Sequence, residues 1–299
     1  MKVSMVFSAS AVLLGLLVAG QAFGQNAKIP AAIYTDPVSP DNDTAARNVT
    51  VHIPAGDVKV NGVFLIAAGK GPHPTTILLH GLPGNEKNLD LAQAVRRAGW
   101  NVLTFNYRGS WGSPGAYSFK GDLEDAASAL DFVRDPANVQ SFGIDTKRIV
   151  MMGHSVGGWV AALTAAKDPA VAASVLISPA NMGEGASMPA DRPTVEKIML
   201  GSSESIAGTS PEKMAEEVLA NRSAFDMRNA AKGLASRPLL LVISNDIFVD
   251  DGRQLLDAIG QAGGKRADLV QIPTDHNYSS KRISLESTVI DWLGEHSRP

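Results

Sequence analysis

The sequence predicts an α/β fold: a mostly parallel twisted sheet with helices on both faces and a small helical lid insertion. Three observations carry that expectation. Short apolar, β-rich runs alternate with amphipathic helical stretches from about residue 75 onward, those runs are continuous rather than alternating in polarity, and one long segment, 181–237, breaks the rhythm. Strand-helix alternation implies crossover connections, hence parallel strands covered on both faces, and such strands read as unbroken apolar runs. With 299 residues, 44% of them hydrophobic and 19% charged, the chain can bury a full-sized core.

In chain order, residues 1–24 read as a secretory signal peptide: Lys2, the apolar run 11–20, then the small-x-small pattern Ala22-Phe23-Gly24. The apolar run is shorter than the roughly 20 residues needed to cross a bilayer, so cleavage near Gln25 is expected to leave no stable membrane anchor and an exported protein, periplasmic or secreted. Residues 25–46, rich in Pro, Asp, Asn and Thr, form an extended leader. Runs 48–53 and 58–67 flank a turn at 54–57 and suit an antiparallel pair at a sheet edge. Strands are then expected at 75–79, 101–105, 148–152, 172–177, 238–243 and 268–272, and helices at 88–98, 122–133, 156–166, 252–261 and 284–292. The catalytic domain comprises 47–180 and 238–299, and 181–237, with helices at 194–200 and 211–221, is the lid inserted between two strands.

Lysines and arginines number 27 against 30 acids, a net charge of -3, so nothing advertises nucleic acid as a partner and a small molecule is expected. The sequence contains no cysteine, which excludes disulfides, a thiolate nucleophile and cysteine-ligated zinc. The oligomeric state is not encoded in any motif.

The strongest chemical signal is Gly153-His154-Ser155-Val156-Gly157, directly after one expected strand and directly before a helix. Small residues allow a tight strand-to-helix turn that lifts a serine hydroxyl above the sheet, beside the positive end of a helix. Ser155 is therefore the candidate nucleophile. It needs a base, and His276, in a loop between the last strand and the last helix, is the histidine placed to serve. The base needs an acid at a strand's carboxyl end, between serine and histidine in chain order, and Asp246 fits. Asp250 and Asp251 are expected to cap the following helix, and Asp275 to be structural. An oxyanion hole requires two backbone N–H groups, assigned to Val156 and to Leu82 in His80-Gly81-Leu82-Pro83-Gly84. Trp111, in Tyr107-Arg108-Gly109-Ser110-Trp111-Gly112, and Met182, Met188 and Phe225 in the lid are candidate walls of a substrate pocket, along with Ile198, Met199 and Leu200.

Taken together, His80-Gly81, Tyr107-Arg108-Gly109, the serine pentapeptide, Asp246 and His276 resemble the α/β-hydrolase superfamily. The run 108–115 and the Asp275-His276 ending are similar to bacterial and feruloyl-type esterases related to the prolyl oligopeptidase and dienelactone hydrolase branches. The resemblance implies the α/β-hydrolase fold and hydrolysis of carboxylic esters or, less often, amides, with neither metal nor organic cofactor. A peptidase, amidase or thioesterase on the same triad is the alternative; a catalytically silent binding module using the same pocket is the rival from another class.

Overall fold

A computed structural model describes residues 28–38, 43–185 and 187–296. The expected signal peptide lies outside the described residues. Eight strands form one sheet in the order β1-β2-β4-β3-β5-β6-β7-β8. They are β1 (Arg47–Ala55), β2 (Val58–Ile66), β3 (His73–Leu79), β4 (Asn101–Phe105), β5 (Ile144–His154), β6 (Ala173–Ile177), β7 (Leu239–Ile243) and β8 (Ala267–Gln271). The β1-β2 hairpin pairs antiparallel at one edge and β2 pairs antiparallel with β4, while the remaining strands are parallel.

Pleating explains why central strands are continuously apolar. In β3, Ile77 and Leu79 enter one core while Leu78 between them enters the other. The first core lies under α2 (Phe119–Arg134), α4 (Val156–Lys167) and α8 (Val249–Gln261), and the second under α1 (Leu89–Arg97) and α9 (Arg282–His296). Every residue of β4, β6 and β7 is buried. The expected strand at 268–272 departs from that pattern: β8 closes the other edge of the sheet, and none of its residues is fully buried.

Between β6 and β7 the chain forms α5 (Arg192–Leu200), α6 (Pro211–Ala220), a 3-10 turn at Met227–Ala230 and the short α7 (Ala231–Leu234). Proline at the first turn and an aspartate or serine cap start both longer helices: Asp191 accepts from Thr194 N and Ser210 from Lys213 N. Their buried faces, Val195 and Met199 of α5 and Met214 and Val218 of α6, join the first core. Residues of the expected lid are thus part of the molecule's main hydrophobic cluster.

Two elements escape the periodicity. One is α3 (Pro136–Phe142), begun by an Asp135 cap and Pro136, seven residues with none fully buried, though Val139 and Phe142 pack against the first core. The other is a 3-10 turn at Ala31–Ile33 inside the expected leader, docked onto α1 by Arg97, whose guanidinium donates to the Ala32 carbonyl at 2.5 Å and the Ile33 carbonyl at 3.0 Å. Among the described residues no helix is long and apolar enough to cross a membrane.

Candidate active site

Strands β5, β6 and β7 end on one side of the sheet, and the loops leaving them hold the candidate residues. Ser155 sits between β5 and α4 with φ 58° and ψ -125°, a backbone conformation that non-glycine residues rarely adopt. The strain is held by hydrogen bonds: Ser155 N donates to the Ile177 carbonyl at the end of β6, and its own carbonyl accepts from Gly158 N and Ala180 N. The flanking glycines are required by crowding. A Cβ on Gly153 would lie 2.0 Å from the Gly157 carbonyl oxygen, and one on Gly157 would lie 2.3 Å from the Leu79 carbonyl oxygen. The Ser155 side chain does not cap α4, which leaves its hydroxyl available for other work.

His276 and Asp246 come together across 30 residues of chain, with Nδ1 to Oδ2 at 2.7 Å. A carboxylate at that distance fixes the proton on Nδ1 and leaves Nε2 as the basic nitrogen. Asp246 also accepts from the Ser244 hydroxyl at 2.6 Å and from Phe248 N at 2.8 Å. Burial raises its pKa, but these hydrogen bonds outweigh burial and hold the carboxyl at about 2, so it remains ionised near neutrality. The network runs deeper than the sequence suggested. Ser244 Oγ lies 3.1 Å from Ser178 Oγ, which lies 2.9 Å from the fully buried Tyr278 hydroxyl. Ser178, Ser244 and Tyr278 were not among the sequence candidates; serines ending two apolar strand runs and a tyrosine two residues after the histidine were the available signal.

The Ser155 hydroxyl is not hydrogen-bonded to His276 in this structure. The two residues are linked through His154, whose Nε2 donates to the His276 carbonyl at 2.9 Å and whose ring lies 4.6 Å from the His276 ring. Burial, reinforced by the neighbouring His276, lowers the His154 pKa to about 3, so it is neutral and its proton sits on the nitrogen that bonds the carbonyl. Asp275 shapes the loop by accepting from Ser279 N, and its carbonyl accepts from Tyr278 N.

The loop after β3 approaches from the other side. A Cβ on Gly81 would stand 2.8 Å from the Ser155 Cβ and 3.3 Å from Oγ, so the backbone of this loop touches the serine. Among the described residues, the N–H groups of Val156 and Leu82 donate to no protein acceptor. His80, at the start of that loop, is 2% exposed, its Nδ1 on the Gly81 carbonyl at 2.7 Å and its pKa lowered by burial to about 4.

The remaining candidates are placed differently. Phe225 packs edge-on against Trp159 at 5.1 Å and Phe119 at 6.5 Å, and its carbonyl accepts the Trp159 indole N–H at 2.6 Å. It anchors the insertion to the core, because a large aromatic ring is worth more in close packing than at an open wall. Met182, Met188 and Met199 are buried in the same cluster, whereas Ile198 and Leu200 are 40% and 64% exposed. Trp111 is 41% exposed, with its indole N–H bonded to the Pro83 carbonyl at 2.6 Å. Asp251 does not cap α8 as expected. It is buried and accepts from Asn181 N, Ser187 N and the Ser187 hydroxyl, tying the root of the insertion to the core. Among the described residues no group of three or more His, Asp or Glu side chains is arranged to hold a metal ion.

Known proteins share parts of this sequence and its fold. An uncharacterized protein of Mycobacterium tuberculosis is 33% identical over 136 residues, 45% of this chain and 46% of its own length. The quorum-quenching protein AidA of Acinetobacter baumannii is 29% identical over 164 residues, 53% of this chain and 52% of its own. The chain thus spans about half the length of the curated relatives it matches. Among solved structures, an esterase of Pyrococcus furiosus superposes with a TM-score of 0.64 at 19% identity, covering 88% of this chain and 97% of that one. A thermostable carboxylesterase from a metagenomic library gives 0.60 at 20% identity, covering 90% and 93%. Those two likenesses are of fold. The Alpha/beta hydrolase family model matches residues 76–278, more than half of the sequence and a span that includes Ser155, Asp246 and His276, and the chain belongs to that family.

Proposed function

We propose that the protein is a serine hydrolase that cleaves carboxylic esters through an acyl-enzyme. The observation that carries this is the His276-Asp246 pair at 2.7 Å, placed beside a strained serine turn, with the Val156 N–H next to that serine in the chain and the Leu82 N–H at the Gly81 contact, both engaged with no protein acceptor among the described residues. In the mechanism, Ser155 Oγ attacks the ester carbonyl while His276 Nε2 takes its proton. The Val156 and Leu82 N–H groups receive the developing oxyanion, and His276 returns the proton to the departing alcohol. Water, deprotonated by the same nitrogen, then releases the acid. Pairing of Ser155 with His276 is completed on substrate binding, since catalytic hydrogen bonds are often loose before it. The substrate is a small-molecule ester; export through the N-terminal segment is part of the same proposal, and a mature protein recovered from the periplasm or medium should begin near Gln25.

Labelling with a fluorophosphonate probe, with turnover of nitrophenyl esters of rising chain length, tests the reading. Ser155→Ala should fold normally, lose labelling and lose roughly 10³-fold or more in turnover. Equal turnover of wild type and variant would remove Ser155 from its role. Faster cleavage of matched aminoacyl anilides than of esters would reassign the protein as an amidase.

A further inference from the structure

The carbonyl of Pro83 is held from two sides. The Trp111 indole N–H donates to it at 2.6 Å, and the Ser205 hydroxyl donates to it at 2.7 Å. Trp111 belongs to the loop after β4, in the scaffold; Ser205 belongs to the insertion between β6 and β7. The two donors are themselves stitched together by a short antiparallel contact, in which Trp111 N donates to the Ser205 carbonyl at 3.0 Å and Ala207 N donates to the Gly109 carbonyl at 2.7 Å, around the Ser110-Ile206 bridge. Trp111 adopts φ 46°, a left-handed conformation that a bulky residue keeps only where its surroundings impose it. The Lys87 ammonium covers its ring at 4.3 Å and is fixed in turn by Asn106 Oδ1 at 2.7 Å.

Pro83 adjoins Leu82, whose N–H faces no protein acceptor. On its other flank, Gly81 is wedged against Ser155. The peptide carrying the Leu82 N–H is therefore held on its Gly81 side by the serine turn and by His80 Nδ1 on the Gly81 carbonyl at 2.7 Å, while the chain leaving Leu82 is next tied down two peptide units on, at the Pro83 carbonyl. We propose that Trp111 and Ser205 are positioning residues that clamp the Pro83 carbonyl and so aim the Leu82 N–H at the oxyanion, which makes the insertion a working part of the oxyanion hole. This rests on the ester-hydrolase reading above. Donors of this kind act only when held where charge develops, so misplacement lowers the rate of the chemical step without weakening capture of the neutral substrate. A merely structural role for the two residues would show in stability and leave that ratio alone.

The test compares wild type with Ser205→Ala, Trp111→Phe, the double variant and the conservative Ser205→Thr, using 4-nitrophenyl butyrate and an aryl trifluoromethyl ketone, whose serine adduct carries an oxyanion. Each single variant should lower kcat about tenfold with KM within about twofold, weaken the ketone in step, and the double should fall furthest; removing an oxyanion donor outright costs more, about 10²- to 10³-fold. Ser205→Thr should recover most of the loss. Wild-type kcat and ketone affinity in folded single variants would overturn the clamp, as would a raised KM at constant kcat, which would make these residues substrate contacts. Should the double variant fail to fold, the singles and the Thr rescue decide the matter alone. A wild type that neither turns over esters nor labels with fluorophosphonate overturns the hydrolase reading and the clamp with it; an active wild type with indifferent variants overturns the clamp only.

Discussion

The two halves of the proposed site, acid-base and oxyanion, are built differently. The acid-base half, His276 and Asp246, rests on the sheet: Ser178 directly follows β6, Ser244 directly follows β7, and Tyr278 joins them from the loop that carries the histidine. From the outside, Arg282 of α9 bonds the Asn277 carbonyl, Asn88 and Asp90, so that loop is also pinned to α1. The oxyanion half, Leu82 and its neighbours, takes one of its two Pro83 donors from the insertion. Thus the half proposed to set the base is internal to the sheet and its flanking helices, while the half proposed to stabilise charge takes a donor from a loop of the insertion whose helices are packed into the main core. Such a division would let changes in the insertion tune rate while leaving the acid-base pair intact.

The sharpest way to break this comparison is at the acid. Asp246→Asn should retain the fold and lower kcat by about 10²- to 10⁴-fold, because an amide holds the histidine in the wrong tautomer. KM should change little. Asp250, exposed in the first turn of α8, should be nearly silent as Asn. Asp251→Asn should not be silent, since it weakens three bonds to the root of the insertion and should lower thermal stability with less effect on kcat. An Asp251 variant with the larger kcat loss would mean that the acid-base half also leans on the insertion.

Next comes the insertion itself. Phe225→Ala removes a ring packed against Trp159 and Phe119 and should cost about 3–5 kcal/mol in urea unfolding, as for other buried aromatics. In the surviving folded fraction, kcat should drop more than KM rises, as expected if loosened insertion disturbs the oxyanion half. A variant that unfolds more easily but keeps its native kcat would show that the insertion is anchored independently of the clamp.

Much of this arrangement is legible in the sequence, for identifiable reasons. The serine turn is encoded locally, since crowding around Gly153 and Gly157 admits no side chain, and the positions of Asp246 and His276 follow from strand ends. What escaped are contacts between residues far apart in the chain. Ser205 and Pro83 are 122 residues apart, and nothing in either neighbourhood marks the pairing. Phe225 illustrates the same limit: an apolar residue in an insertion reads equally as pocket wall or core anchor, and only its partners, more than 60 residues upstream, decide. Asp251 looked like a helix cap because capping is local, whereas its partners belong to the insertion.

Within the acid-base half, a smaller effect separates orientation from charge. Ser244→Ala removes one donor to Asp246 and leaves His276 and Phe248 N in place. The carboxyl pKa should rise from about 2 yet stay below neutrality, and kcat should fall about tenfold or less. Carboxyl-carbon NMR titration of Asp246 would follow the change, and an unaltered Asp246 titration with unaltered kcat would show the Ser178-Ser244-Tyr278 chain to be structural only.

The last effect is on stability rather than rate and concerns His154, which joins the two halves through the His276 carbonyl. Its folded pKa is about 3 against an ordinary value of 6.5, so between those pH values the unfolded chain binds a proton that the native protein refuses. Stability is therefore full above about pH 6.5 and is lost as pH falls toward 3, with a limiting slope of about 1.4 kcal/mol per pH unit for one such group. His80, lowered by burial to about 4, adds a similar loss from the oxyanion side. His154→Gln keeps an N–H able to reach the carbonyl but cannot titrate. Urea unfolding at pH 7 and pH 5 should show a shallower decline in the variant, by up to one proton, with His80 supplying part of the remainder. Parallel declines in the two proteins would mean that His154 is protonated in the native state at pH 5, and that the bridge between the halves carries charge rather than a neutral hydrogen bond.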